Sequence, residues 1–262
     1  MYSIGERING MFKSVGAAIR EQDPAPIQEL ARKQLAAGAD ALDVNVGPAA
    51  ADPLVAMEWL VKAIREVTDA PLAIDTTKPE VMRRGLEVAG PGSIINSTKG
   101  QQEQLDIFIP MAVELQASVI ALTIDEAGIP RDANGRAEIA LRAVASAMEH
   151  GLDMERLMID AVILPANVAQ PTAGHVLEAI RNVKLLADPA PKTVLGLSNV
   201  SQGTQQRPLI NRTYLVMALT AGLDAAILDV LDSEMMDAMI TAELLLNQAV
   251  YCDDFLRAYR SR

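Results

Sequence analysis

An α/β fold built as a single (β/α)8 barrel is what this 262-residue sequence predicts, on three observations. Eight short β-type runs recur, centred near Ile4, Val44, Ile74, Ile95, Leu122, Ile159, Leu197 and Leu228. Their spacings of 21 to 40 residues leave room for one crossover helix each. The segments between them carry helical periodicity, and strict alternation over about 250 residues matches a closed barrel better than an open sheet. Alternation alone does not prove closure, so an open doubly wound sheet stands as the second form.

The elements follow in order. After the strand around Ile4, a helix is marked by Asp23-Pro24, an N-cap with proline at the first helical position. Its stripe is Ile27, Leu30, Ala31, Gln34 and Leu35, and Gly38 closes it as a C-cap. Asp52-Pro53 opens the next helix in the same way, with Leu54, Met57, Val61 and Ile64 on one face. Thr77-Lys78-Pro79-Glu80 has capping-box spacing and starts the helix after the third strand. Later, Val176, Ile180, Val183 and Ala187 share a face, and Asp188-Pro189-Ala190-Pro191 reads as a tight loop before the seventh strand. The last long helix carries Met235, Met236, Met239, Ile240, Ala242, Leu244, Leu245, Leu246, Ala249 and Val250, more than the single stripe a barrel helix needs. A second covered face predicts a partner, most simply a homodimer, or a C-terminal segment folded over it. No stretch reads as a domain linker, so residues 1–262 are taken as one domain.

Composition narrows the function. Half the chain is apolar, and 23 Lys and Arg stand against 34 Asp and Glu, a formal charge of −11. A chain this acidic lacks the clustered cations that nucleic acid requires, and the basic face of a peripheral membrane binder. No apolar run reaches the roughly 18 residues of a membrane span. The charged start Glu6-Arg7 does not suit a signal peptide, so a soluble, cytoplasmic protein is expected. One cysteine, Cys252, excludes a disulfide framework or a multi-Cys metal site, and the two histidines are His150 and His175. The chemistry must run on carboxylates, amides and Arg or Lys.

The strand ends supply those groups: Glu6 with Asn9, Asp43 with Asn45, Asp75, Asn96, Thr123 with Asp125, Asp160, Ser198 with Asn199, and Asp229. In a parallel barrel they converge on the mouth where active sites are built. Any one of them taken alone is better explained as a cap or turn former for the next helix. Asp75, Asn96 and Asp160 each follow a β-branched apolar residue directly, which puts them on their strands and aims them inward. Carboxylates and carboxamides with almost no histidine suit a neutral heterocycle rich in N–H donors, of which a pterin is one. The same residues would also suit magnesium or calcium, although no D-x-D type loop is present.

Four segments carry a family resemblance. Ile4-Gly5-Glu6-Arg7-Ile8-Asn9-Gly10, Leu42-Asp43-Val44-Asn45-Val46-Gly47-Pro48, Ile95-Asn96-Ser97-Thr98 and Thr193-Val194-Leu195-Gly196-Leu197-Ser198-Asn199-Val200-Ser201 resemble the pterin-binding barrel family. Within it the chain is most similar to the methyltetrahydrofolate:corrinoid methyltransferases, and the likeness runs on through Arg207-Pro208-Leu209-Ile210-Asn211-Arg212 to Tyr251-Cys252-Asp253. The resemblance implies transfer of a methyl group between N5 of 5-methyltetrahydrofolate and the cobalt of a corrinoid supplied by a partner protein. It implies that Asp75, Asn96 and Asp160 hydrogen-bond the pterin, that Asn199 lies near N5, and that Gln202 and Arg207 lie beside it. Glu6, Asn9 and Gly196 match further positions of the pocket, no metal is implied, and the family also points to a dimer. Two positions depart from the pattern: Ala161 stands where Pro is usual, and Thr123-Ile124-Asp125 where Met-Asn is usual. Both bear on the identity of the corrinoid partner.

The implied reaction needs no protein nucleophile, because cob(I)alamin is one. It does need charge stabilised at N5, since a neutral tertiary amine leaves poorly. Asn199 suits that role, turning its oxygen toward a protonated N5. Arg207 would meet the folate's aromatic or glutamyl part, or merely decorate a helix start. His150 before Gly151 reads as a helix-end residue, His175 as surface, Cys252 as a packed thiol, and Trp59 with most methionines as core packing. Two alternatives remain. One is a dihydropteroate synthase, although Ile8-Asn9-Gly10-Met11-Phe12 does not resemble that enzyme's loop. The other is a non-catalytic pterin-binding module that docks a corrinoid protein.

Overall fold

The computed structural model describes residues 1–48 and 50–260. Strand β1 (Tyr2–Asn9) leads into helices α1 (Lys13–Glu21) and α2 (Pro24–Ala36). Then follow β2 (Ala41–Asn45), α3 (Pro53–Arg65), β3 (Leu72–Asp75), α4 (Pro79–Ala89), β4 (Ile94–Lys99), α5 (Gln102–Glu114) and β5 (Ser118–Leu122). The second half runs α6 (Ala133–Glu149), β6 (Leu157–Asp160), α7 (Ala166–Ala169), α8 (Thr172–Val183) and β7 (Lys192–Gly196). It closes with α9 (Arg207–Thr220), β8 (Ala225–Leu228), α10 (Ser233–Leu245) and α11 (Phe255–Arg260). All eight strands are parallel and pair in chain order, with β8 returning to β1, so the sheet is a closed barrel. Of the two predicted sheet forms, the closed one is observed.

Period-2 alternation organises the interior. One residue from each strand, Ile4, Ala41, Ala73, Ile94, Ile120, Met158, Val194 and Ala225, meets at the centre as a buried apolar layer. Residues between them, such as Leu42, Leu72, Ile74 and Ile95, face the helices and join the outer core. Both strand faces are buried, which is why the strands read as continuous apolar runs.

Several expectations shift by a few residues. Asp23 and Asp52 cap their helices as expected: Asp23 accepts from the Ala25 N–H, and Asp52 from those of Leu54 and Val55. The Thr77–Glu80 capping box does not form. Pro79 occupies the first turn and keeps Lys78 extended, so the cap position falls one residue late for that spacing. The seventh strand ends at Gly196, and Leu197, taken as its centre, begins a 3-10 turn, Leu197–Ser201. Ala187 lies beyond the end of α8. Helix α1 is an element that the sequence reading did not single out, for its N-cap Phe12 makes no side-chain cap. Cys252 is exposed, not packed. Helix α10 buries Met235, Met236, Met239, Ile240 and Ala242, and Phe255, Leu256 and Tyr259 of the C-terminal segment pack against the same cluster. Among the described residues no helix is long and apolar enough to cross a membrane.

Candidate functional site

Two residues beyond the apolar layer, each strand presents its next inward side chain: Glu6, Asp43, Asp75, Asn96, Leu122, Asp160, Gly196 and Ile227. All eight line one cavity of about 360 Å³ at the C-terminal mouth of the barrel. The floor of the site is therefore the second inward layer of the sheet, polar on five strands and apolar on β5 and β8. Met11, Phe12, Asn9, Ser198, Asn199 and Arg207 form the rim.

A bulge in β1 between Gly5 and Ile8 helps to aim Glu6. The Arg7 N–H released by the bulge is met by the side-chain oxygen of buried Gln34 from α2, at 3.0 Å. Glu6 then accepts from the Ser198 hydroxyl at 2.7 Å. Across the floor, the Asn96 amide donates to Asp43 at 2.8 Å and the Asn45 amide donates to Asp75 at 2.6 Å. Asp160 accepts from the Val162 N–H at 2.7 Å and, at a longer 3.4 Å, from Gly196.

Four carboxylates thus share a cavity whose lining has one cation, Arg207. Burial raises Asp160 to about 6 despite its two backbone donors. Burial also raises Glu6, against the Ser198 hydrogen bond. Asp43 is pushed well above the usual carboxylate range, by burial first and by Asp75 next, while burial raises Asp75 against the donation from Asn45. Buried carboxylates with too few donors are best completed by a ligand that brings N–H groups with it. Among the described residues, no group of three or more His, Cys, Asp or Glu is arranged to hold a metal ion.

The rim follows from the turn after β7. Asn199 is exposed on the 3-10 turn, and among the described residues its side chain has no hydrogen-bond partner. It lies over Gly196, where a Cβ would stand 2.9 Å from its amide nitrogen. Arg207, at the start of α9, donates to the Ser201 hydroxyl at 3.2 Å and to the Ser198 carbonyl at 3.5 Å. Asn9 lines the cavity and accepts from the Met11 N–H at 2.9 Å. Of the nine residues expected at the site, eight line the cavity; Gln202 is exposed on the loop and is not part of that lining.

Asp43, Ser198, Leu122, Ile227, Met11 and Phe12 belong to the lining without having been assigned a site role. Asp43 and Ser198 were visible as polar strand-end residues. Leu122 and Ile227 follow the same period-2 step that yields Asp43 and Asp75, a pattern that identifies them only once the barrel register is known. Thr123, Asp125 and Asp229 do not line the cavity: β5 stops at Leu122, Asp125 lies 3.8 Å from Arg142, and Asp229 accepts from Arg7.

The chain resembles known proteins over most of its length. The pterin binding enzyme family matches residues 5–229, a span holding every floor residue and the Asn199 turn. A methylcorrinoid:tetrahydrofolate methyltransferase of Eubacterium limosum is 30% identical over 269 aligned residues, covering 99% of this chain and 96% of its own. Methionine synthase of Mycobacterium leprae is 30% identical over 86% of this chain, which corresponds to 20% of that much longer protein. Among solved structures, the dihydropteroate synthases of Yersinia pestis and Xanthomonas albilineans superpose with TM-scores of 0.65 and 0.63 over 95% of this chain and 94% of theirs. At 16% and 18% identity they share its fold. With a closed barrel, a carboxylate-lined mouth and a match across most of its length, the chain belongs to the pterin binding enzyme family.

Proposed function

We propose that this chain is a methyltransferase that moves a methyl group between N5 of 5-methyltetrahydrofolate and the cobalt of a corrinoid, acting as one domain in a cytoplasmic homodimer. The corrinoid arrives on a partner protein, and either direction of transfer is chemically open. One observation carries the reading: a barrel floor of acceptors, Asp75, Asn96 and Asp160 among them, lies beneath an unpaired Asn199 amide at the rim. The similarity to a full-length methylcorrinoid:tetrahydrofolate methyltransferase supports it.

Asp75, Asn96 and Asp160 hold the amino and N–H edge of the pterin, and Leu122 and Ile227 offer apolar contacts to its ring. Glu6, Asn9 and Gly196 complete the pocket, and Arg207 meets the folate beyond the ring. Gln202, on the adjacent loop, approaches once the substrate is seated. The corrinoid supplies a nucleophilic cobalt, or a methyl donor in the reverse direction, so the protein's work is to orient and to stabilise charge. Asn199 turns its amide oxygen toward N5 as that nitrogen gains a proton, an interaction stronger in the transition state than in the ground state. The exposed apolar residues Leu245, Val250 and Tyr251, beyond the part of α10 that α11 covers, support the second copy.

Anoxic incubation with 5-methyltetrahydrofolate and cob(I)alamin should yield methylcobalamin and tetrahydrofolate. Binding without turnover would instead favour a pterin-binding module, and condensation of a pterin pyrophosphate with p-aminobenzoate would favour a dihydropteroate synthase.

A further inference from the structure

Asn45 ends β2, two residues past Asp43 on the same face, and does not itself line the cavity. Its side-chain oxygen accepts the Gly47 N–H at 2.6 Å, and its amide nitrogen donates to Asp75 at 2.6 Å. The first contact fixes the second. Gly47 holds a φ of +67° against Gly10, where an added Cβ would come within 2.6 Å of the Gly10 carbonyl carbon. The Gly47 N–H therefore has little freedom to turn away. A backbone N–H can be met only by an acceptor, so the Asn45 oxygen must face it and the amide nitrogen must face Asp75. The reversed amide would set two donors against each other at Gly47 and leave Asp75 facing an acceptor.

We propose that Asn45 is a positioning residue for the substrate ring: without touching the ligand, it holds Asp75 as a fixed hydrogen-bond acceptor and so dictates that the ring present donors there. The proposal rests on the pterin reading above and deepens it. One Asp75 oxygen is occupied by Asn45, which leaves the other for ring N–H groups. A donated hydrogen bond favours the ionised carboxylate, opposing the burial that raises Asp75. Asp43 from β2 acts on Asp75 directly, and the other charged groups lining the same cavity are Glu6 from β1, Asp160 from β6 and Arg207 from the start of α9. Asn96, its partner on β4, is neutral.

Two measurements test the proposal, each on wild type, Asn45→Ala and Asn45→Asp. Asn45→Asp keeps an acceptor for Gly47 while removing the donor to Asp75; circular dichroism and thermal unfolding serve as folding controls. First, carbon-detected NMR follows the Asp75 carboxyl in the ligand-free protein, where Asn45→Ala should titrate about one to two pH units higher than wild type and Asn45→Asp higher still, because it sets a like charge beside Asp75. Second, calorimetry follows 5-methyltetrahydrofolate binding against pH. The acid limb of affinity should move up by a similar amount, so that at a pH on that limb binding weakens about tenfold for each unit moved. A folded Asn45→Ala with an unmoved Asp75 titration overturns the proposal, as does a moved titration with unchanged binding. If wild type binds no 5-methyltetrahydrofolate, the pterin reading falls, and the ligand-free titration still decides whether Asn45 governs Asp75. A merely structural Asn45 would lower the melting temperature in Asn45→Ala and move neither the Asp75 titration nor the acid limb of binding.

Discussion

Gly196 shows how a single hydrogen atom in place of a methyl group shapes the rim. Because a Cβ there would stand 2.9 Å from the Asn199 amide nitrogen, Gly196→Ala must push that side chain aside. Misplacement on the ångström scale near reacting atoms costs up to about 10² in rate. Gly196→Ala should therefore slow methyl transfer by about 10–10²-fold in stopped-flow measurements at saturating 5-methyltetrahydrofolate. Asp160 yields a prediction with a definite sign. Its carboxyl is raised to about 6 by burial, above its value in the unfolded chain. The neutral form is the one the fold favours, so this group's stabilisation is complete at low pH and is lost as pH rises through about 6. Asp160→Asn removes that titration, so in urea the variant should exceed wild type by about 1–3 kcal/mol at about pH 8. At about pH 3, below the unfolded value, the gap should vanish, and a gap of equal size at both pH values would contradict the assignment.

At the scale of elements, α2 reaches into β1 through one side chain. Gln34 is fully buried and gives its oxygen to the Arg7 N–H exposed by the bulge. Gln34→Leu should leave that N–H unpaired and destabilise the fold by about 1–3 kcal/mol in denaturant titrations. Loss of the α3 cap in Asp52→Ala should cost about 1 kcal/mol by the same measurement. Gln34 also shows what the sequence could tell. Its place on the inward helical stripe was legible from spacing, but its partner was not, since a bulge has no local sequence signature. The Asp-Pro starts of α2 and α3 were readable because cap and proline act within two residues. The Thr77–Glu80 spacing misled because Pro79 moved the helix start by one residue. The end of β7 misled for a similar reason: apolar Leu197 continues the strand's pattern but begins the turn that carries Asn199.

For the whole molecule, alternation of strands and helices narrowed the fold to a closed barrel, which it favoured, or an open doubly wound sheet, because short β runs at crossover spacing have few other solutions. The return of β8 to β1 is what closes the barrel. Most of the site was legible for the same reason. Once eight parallel strands are aligned, their polar C-terminal ends must meet at the mouth, as Glu6, Asp43, Asp75, Asn96 and Asp160 do. Leu122 and Ile227 were not legible, since an apolar floor residue looks like any other core position until the register is known. The quaternary prediction also belongs at this scale. Helix α11 covers part of the extra apolar face of α10, yet Leu245 and Val250 stay 80% and 79% exposed. Sedimentation at micromolar concentration should give a dimer, and Leu245→Glu with Val250→Glu should give a folded monomer. A wild-type monomer in that experiment would contradict the homodimer.

The most direct test of the proposed chemistry is single-turnover methyl transfer from saturating 5-methyltetrahydrofolate to cob(I)alamin, comparing wild type with Asn199→Ala. Removing one group aimed at developing charge typically lowers the rate by about 10²–10³. The predicted result is a loss of that size in a protein whose circular dichroism is unchanged. Transfer by the folded variant at the wild-type rate would contradict the account and reduce Asn199 to a turn residue.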